Sequence, residues 1–124
     1  MYRVCIVDDE IKEIKSLKDS IFSFFKAKSL TVNVDKYDNP VSFLNNFEKS
    51  KYDLILLDIS MPQKNGIDVA RLIREKDDMV KIIFTTSLIQ YAIKGYEVNA
   101  FDYLLKPISY SSFCLTMERL MKFI

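Results

Sequence analysis

Four apolar residues in succession, Leu54, Ile55, Leu56 and Leu57, run directly into an acid, Asp58. A run without polar alternation predicts a strand buried on both faces, the habit of parallel sheets covered by helices. An acid at the carboxyl end of such a strand stands in the crevice where open α/β sheets bind ligands. Ser60, Met61 and Pro62 then interrupt the pattern, and Asn65-Gly66 closes a loop before a helical period resumes. Taken alone, Asp58 could equally cap the next helix. Its neighbours along the rest of the chain separate the two readings.

The same alternation recurs through the chain. Tyr2–Val7 is a β-rich run ending in Asp8, Asp9 and Glu10, and Ile11, Ile14, Leu17, Ile21 and Phe24 follow at helical spacing. Leu30, Val32, Val34 and Tyr37 mark a second strand. Asn39-Pro40 opens a helix expected to turn Val41, Phe43, Leu44 and Phe47 inward. After the Asp58 strand, Ile67, Ala70, Leu72 and Ile73 carry a third helix. Val80–Thr85 is a fourth strand, closing in Thr85, Thr86 and Ser87. Tyr91–Tyr96 reads as a short fourth helix and Ala100–Leu105 as a fifth strand before Lys106-Pro107. Ser109 caps a last helix with Phe113, Met117, Leu120 and Ile124 on one face. Five strands alternating with five helices predict a doubly wound, flavodoxin-like (βα)5 fold. Right-handed crossovers make its simplest parallel order 2-1-3-4-5.

At 124 residues, 49% of them hydrophobic, the chain (1–124) is expected to form one domain with a substantial core. A net charge of +1 gives no bulk attraction to nucleic acid or acidic lipid. No run approaches the ~20 apolar residues of a membrane span, so no membrane partner is expected. Cys5 and Cys114 lack metal-ligand spacing. Both are expected to be buried thiols of a reducing compartment, with the cytoplasm as the default location. The absence of histidine excludes a histidine base or a phosphohistidine carrier in this chain. With only Gly66 and Gly95 there is no glycine-rich nucleotide loop.

In a parallel sheet, the strand ends bring Asp8, Asp9, Asp58, Thr86 and Lys106 to one crevice. Three carboxylates there raise one another's pKa unless a cation joins them, and oxygen donors without thiolate or imidazole suit Mg²⁺. An ammonium and a hydroxyl opposite suit an anion with several oxygens, such as a phosphoryl group. Asp58 is then the candidate nucleophile, since carboxylates form acyl phosphates.

With these motifs (VDDE, LLDISMPQKNG, FTTS and YLLKP) the chain resembles the receiver domains of two-component response regulators from Tyr2 to the last helix. The resemblance implies that Asp58 accepts a phosphoryl group from a sensor histidine kinase. It further implies that Asp8, Asp9, Asp58 and the Ser60 backbone carbonyl hold Mg²⁺. Thr86, the third residue of FTTS, would bind the phosphate and Lys106 would pair with it. Pro107 would follow a cis bond, and Tyr103 would be an aromatic switch that moves when Thr86 is drawn inward. Tyr91–Pro107 is most similar to receivers attached to LytTR-type DNA-binding domains. DNA contact, and with it control of transcription, would then come only through an effector domain outside this chain. Leu88, Ile89, Tyr91, Tyr96 and Tyr110 are expected to leave an apolar patch on the face of the fourth helix, fifth strand and fifth helix, suited to homodimerisation. Two other readings compete. A haloacid-dehalogenase-like phosphatase also uses Asp, Mg²⁺, Thr/Ser and Lys, but Asp58-Ile59-Ser60 lacks that family's second acid. A degenerate receiver would be a docking module independent of phosphate. On the first reading the chain is a stoichiometric phosphoacceptor and not an enzyme.

Overall fold

The computed structural model describes residues 1–88, 90 and 97–124. A five-stranded parallel sheet runs through the centre in the order β2-β1-β3-β4-β5. Its strands are β1 (Tyr2–Val7), β2 (Val32–Tyr37), β3 (Leu54–Asp58), β4 (Lys81–Thr86) and β5 (Asp102–Leu105). The helices described are α1 (Ile11–Ala27), α2 (Pro40–Asn46), α3 (Gly66–Lys76) and α4 (Tyr110–Leu120). The helix expected over Tyr91–Tyr96 lies outside the described residues.

Every residue of β3 is buried, because helices cover both of its faces. On one face Val4, Ile6, Leu54, Leu56, Ile83 and Leu104 pack against α1 and α4. There Phe24 and Phe113 meet edge-on at 6.3 Å between centroids, locking the two helices together. On the other face Cys5, Val7, Ile55, Leu57, Ile82 and Phe84 pack against α2 and α3. Full burial of each such side chain is worth about 1.5–3 kcal/mol, which leaves the sheet as the rigid base of the molecule.

Local signals set the helix starts. Asn39, Asn65 and Ser109 each accept a hydrogen bond from the backbone N–H three residues on, and Pro40 occupies the first helical position of α2. Several inward-facing expectations fail at the edges of these helices. Val41 is 46% exposed, whereas Phe47 is buried but lies just beyond α2. Leu72 is at the solvent side of α3 and Val69 takes the inward position. Leu30 precedes β2 and is exposed. Ile124 packs on the core from the chain end and not from α4, which stops at Leu120. Cys5 is buried, but Cys114 is only half-buried, because its position on α4 is turned partly from the sheet.

Candidate functional site

The carboxyl ends of β1, β3, β4 and β5 meet at one edge of the sheet. Asp8 follows β1 and is completely buried. Its Oδ1 accepts a hydrogen bond from the Glu10 backbone N–H at 2.9 Å, and its Oδ2 accepts one from Lys106 Nζ at 3.0 Å. Asp58 ends β3 and is 2% exposed. Lys106 Nζ lies 3.4 Å from its Oδ1, while its Oδ2 is buried without a hydrogen-bond partner. Lys106 reaches both acids from the loop after β5. Its backbone N–H donates to the Thr86 carbonyl at 2.7 Å, and the Lys106–Pro107 bond is cis.

Burial and the neighbouring Asp8 charge push the Asp58 carboxyl up to about 7, against the opposing pull of Lys106. Burial disfavours the Lys106 ammonium, but its hydrogen bond to Asp8 and the charge of Asp58 outweigh that and hold its pKa above the ordinary lysine value. The result is a dry carboxylate, short of positive charge, with one oxygen unpartnered.

Asp9 and Glu10 stand at the exposed rim, and carboxylate oxygens of Asp8, Asp9 and Glu10 lie within 4.8 Å of one another. Glu10 is a third rim acid that the motif reading left out; its carboxylate is 3.8 Å from Lys106 Nζ. It precedes α1 as the extended N-cap residue, so the acid inside the first turn is Glu13. These oxygens and the orphaned Asp58 Oδ2 fit a hard cation, which takes carboxylate and carbonyl ligands. Ser60 lies exposed between buried Ile59 and Met61, which anchor the loop to the core.

Gly66 fixes this loop against Asp58. Its N–H donates to the Ile59 carbonyl at 2.8 Å, and a Cβ placed on it would stand 2.2 Å from the Asp58 carbonyl oxygen. No larger residue allows α3 to start so close to the end of β3.

Alternation divides the two threonines. In the parallel register Asp58 stands beside Thr85, and Thr85 beside Leu104. This row shares the sheet face of Leu56 and Ile83. Thr86 falls on the opposite face, with Phe84 and Tyr103. The Thr86 hydroxyl accepts from the Leu88 N–H at 3.0 Å, and Tyr103 is half-buried against the cluster beneath α2 and α3. Period-two alternation separates Thr85 from Thr86 in the sequence alone, but which of them shares the face of Asp58 is set by the cross-strand register. Of the apolar patch residues, Leu88 and Tyr110 are exposed, while Ile89, Tyr91 and Tyr96 lie outside the described residues.

A buried acid on the third strand, an acid pair after the first and a lysine reaching in from the fifth define an acidic crevice with one opposing cation at the carboxyl edge of a doubly wound sheet. The chain matches the response regulator receiver domain over residues 4–118 and belongs to that family. It is 31% identical over 122 residues to the sensory transduction protein LytT of Bacillus subtilis, covering 98% of this chain and 49% of LytT. The chain thus spans about half the length of this curated relative. Its fold superposes on the response regulatory domain of mrkE from Klebsiella pneumoniae with a TM-score of 0.81 at 27% identity, covering 97% of this chain and 95% of that one. It superposes on the response regulator TrrA from Thermotoga maritima, a complex with Mg²⁺ and BeF, with a TM-score of 0.77 at 27% identity, covering 97% and 99%. Among the described residues, no helix is long and apolar enough to cross a membrane.

Proposed function

We propose that Asp58 accepts a phosphoryl group from the phosphohistidine of a partner kinase, and that this modification switches the receiver between two packings. The observation that carries the reading is the state of the Asp58 carboxylate, which is buried, faced by Lys106 on one oxygen and unpartnered on the other. In the transfer, an Asp58 oxygen forms a bond to phosphorus while the P–N bond to the kinase imidazole breaks, and the imidazole leaves with the electron pair. Lys106 neutralises charge on the phosphoryl oxygens, and the buried walls keep bulk water away from the acyl phosphate. Asp8, Asp9, Asp58 and the Ser60 carbonyl would hold Mg²⁺, which supplies positive charge to the transferring oxygens. TrrA, a receiver of the same fold, is the protein in which Mg²⁺ accompanies a BeF group.

The switch follows from the hydrogen bond between Thr86 and Leu88. Drawing the Thr86 hydroxyl toward a phosphate on Asp58 breaks that bond and frees space beside Tyr103, which then moves inward. Phosphorylation thereby biases a two-state packing. The output is control of transcription through an effector domain, in keeping with the share of LytT that this chain spans. A homodimer through the face of β5 and α4 would use exposed Leu105 and Tyr110. Chemistry at Asp58 is stoichiometric on this reading, with the location cytoplasmic.

Intact mass after incubation with acetyl phosphate and Mg²⁺ tests the proposal, beside Asp58→Asn and an EDTA control. The expected result is an adduct of ~80 Da that needs both Mg²⁺ and Asp58. No adduct on the wild-type chain would leave a phosphate-independent docking module as the better reading. Multiple turnover on small phosphate esters would favour the phosphatase.

A further inference from the structure

Thr85 carries a hydroxyl where the core asks for none. It is 1% exposed, and its Oγ1 is buried without a hydrogen-bond partner. Its row neighbours on that face include Ile83 and Leu104, so valine, with the same branching and nearly the same volume, would fill the space without stranding a polar atom. Buried hydroxyls without partners are rare in folded proteins, and each calls for a reason. The reason lies in the adjacent strand. The register places Thr85 beside Asp58, whose Oδ2 is the other orphaned buried side-chain atom among the described residues. One orphan is a donor and the other an acceptor, on the same face of neighbouring strands. Backbone bonding holds the pair in register, since the Ile59 N–H donates to the Thr85 carbonyl at 3.1 Å. Thr86 has no part in this pairing, because its side chain is on the opposite face and its hydroxyl is bonded to Leu88.

We propose that Thr85 is a positioning residue for the phosphoacceptor. A rotation about its Cα–Cβ bond lets the hydroxyl donate to Asp58 Oδ2 and hold the carboxylate plane while the oxygen facing Lys106 attacks phosphorus. The two oxygens thereby become inequivalent, with Lys106 on Oδ1 and Thr85 on Oδ2. This inference rests on Asp58 being the acceptor.

The test compares wild type, Thr85→Val and Thr85→Ser for the rate of adduct formation with acetyl phosphate and Mg²⁺, and for thermal midpoint. Removing a hydrogen bond to a charged group is expected to slow Thr85→Val about tenfold. Its melting temperature should be unchanged or higher, because an unpaired buried hydroxyl has been removed. Thr85→Ser should recover most of the rate despite losing a methyl group. A Thr85→Val protein that is phosphorylated at the wild-type rate overturns the proposal. So does one whose rate and midpoint fall together without rescue by serine, which marks a packing role. A wild-type chain that takes no phosphoryl group sinks the acceptor reading and this one with it, whereas a phosphorylated wild type with an indifferent Thr85→Val sinks this one alone.

Discussion

Gly66→Ala is the substitution whose effect the geometry defines best. The added Cβ would lie 2.2 Å from the Asp58 carbonyl oxygen, 2.8 Å from Ile59 Cα and 2.9 Å from the Asp58 carbonyl carbon. All three are backbone atoms, so no side chain can swing aside, and the start of α3 must retreat by about 1 Å to restore ordinary contact distances of ~3.5 Å. Overpacking of this kind costs about 1–3 kcal/mol. The retreat also stretches the 2.8 Å bond from the Gly66 N–H to the Ile59 carbonyl, worth about 1 kcal/mol. The higher helix propensity of alanine returns at most ~1 kcal/mol. A net loss of roughly 2–3 kcal/mol should lower the thermal midpoint by about 10 °C for a domain of this size. Since two of the three crowded atoms belong to Asp58, the rate of phosphorylation by acetyl phosphate should fall as well. Asn65→Ala is the control, because it removes the cap on the Asp68 N–H and weakens α3 by about 1 kcal/mol without pressing on Asp58. A Gly66→Ala protein that melts and phosphorylates like wild type would refute the reasoning.

Three further outcomes follow from the same geometry. Folding raises the Asp58 carboxyl from 3.8 to about 7, so between those values the folded protein holds a proton that the unfolded chain releases. Without Mg²⁺, stability from this group is present below pH ~4 and lost as pH rises through 7; Asp58→Asn should therefore gain more over wild type at pH 8 than at pH 5 in urea titrations with EDTA, and a gain independent of pH contradicts this. Arg74 donates to the carbonyls of Val98, Asp77, Val80 and Asn99, tying the approach to β5 onto α3. Arg74→Ala should lose about 3 kcal/mol by denaturant melt, with Arg74→Lys unable to restore it, because an ammonium lacks the planar fork; full rescue by lysine would show that charge alone matters. Leu88, an exposed apolar residue two positions after the end of β4, is expected to restrict the hydrolytic water. Leu88→Glu should shorten the acyl-phosphate lifetime severalfold by placing a carboxylate near that water, and an unchanged dephosphorylation rate counts against it.

Much of this molecule was legible in the order of its residues. The unbroken run Leu54–Leu57 demanded a strand covered on both sides, and alternation with amphipathic helices left a parallel sheet of order 2-1-3-4-5, which is the order observed. Asp8, Asp58 and Lys106 fell at strand ends and therefore at one edge, since parallel strands share a direction. Side chains at helix margins were less legible. Val41, expected inward, is exposed in the first turn of α2, whereas Phe47 is buried as expected but from beyond the end of the helix at Asn46, where helical period no longer places it. Contacts between distant parts of the chain were the remainder. Strand-end position alone grouped Thr86 with the acids, and only cross-strand register showed Thr85 to be the hydroxyl on their face. Motif spacing marked Gly66 as a turn, but the 2.2 Å approach to Asp58 needed the packed start of α3. Local pattern determines which residues face inward and which strand ends carry charge. Which atoms meet, and which are left without a partner, depends on how strands far apart in the chain lie side by side, and that was decided only by the tertiary structure.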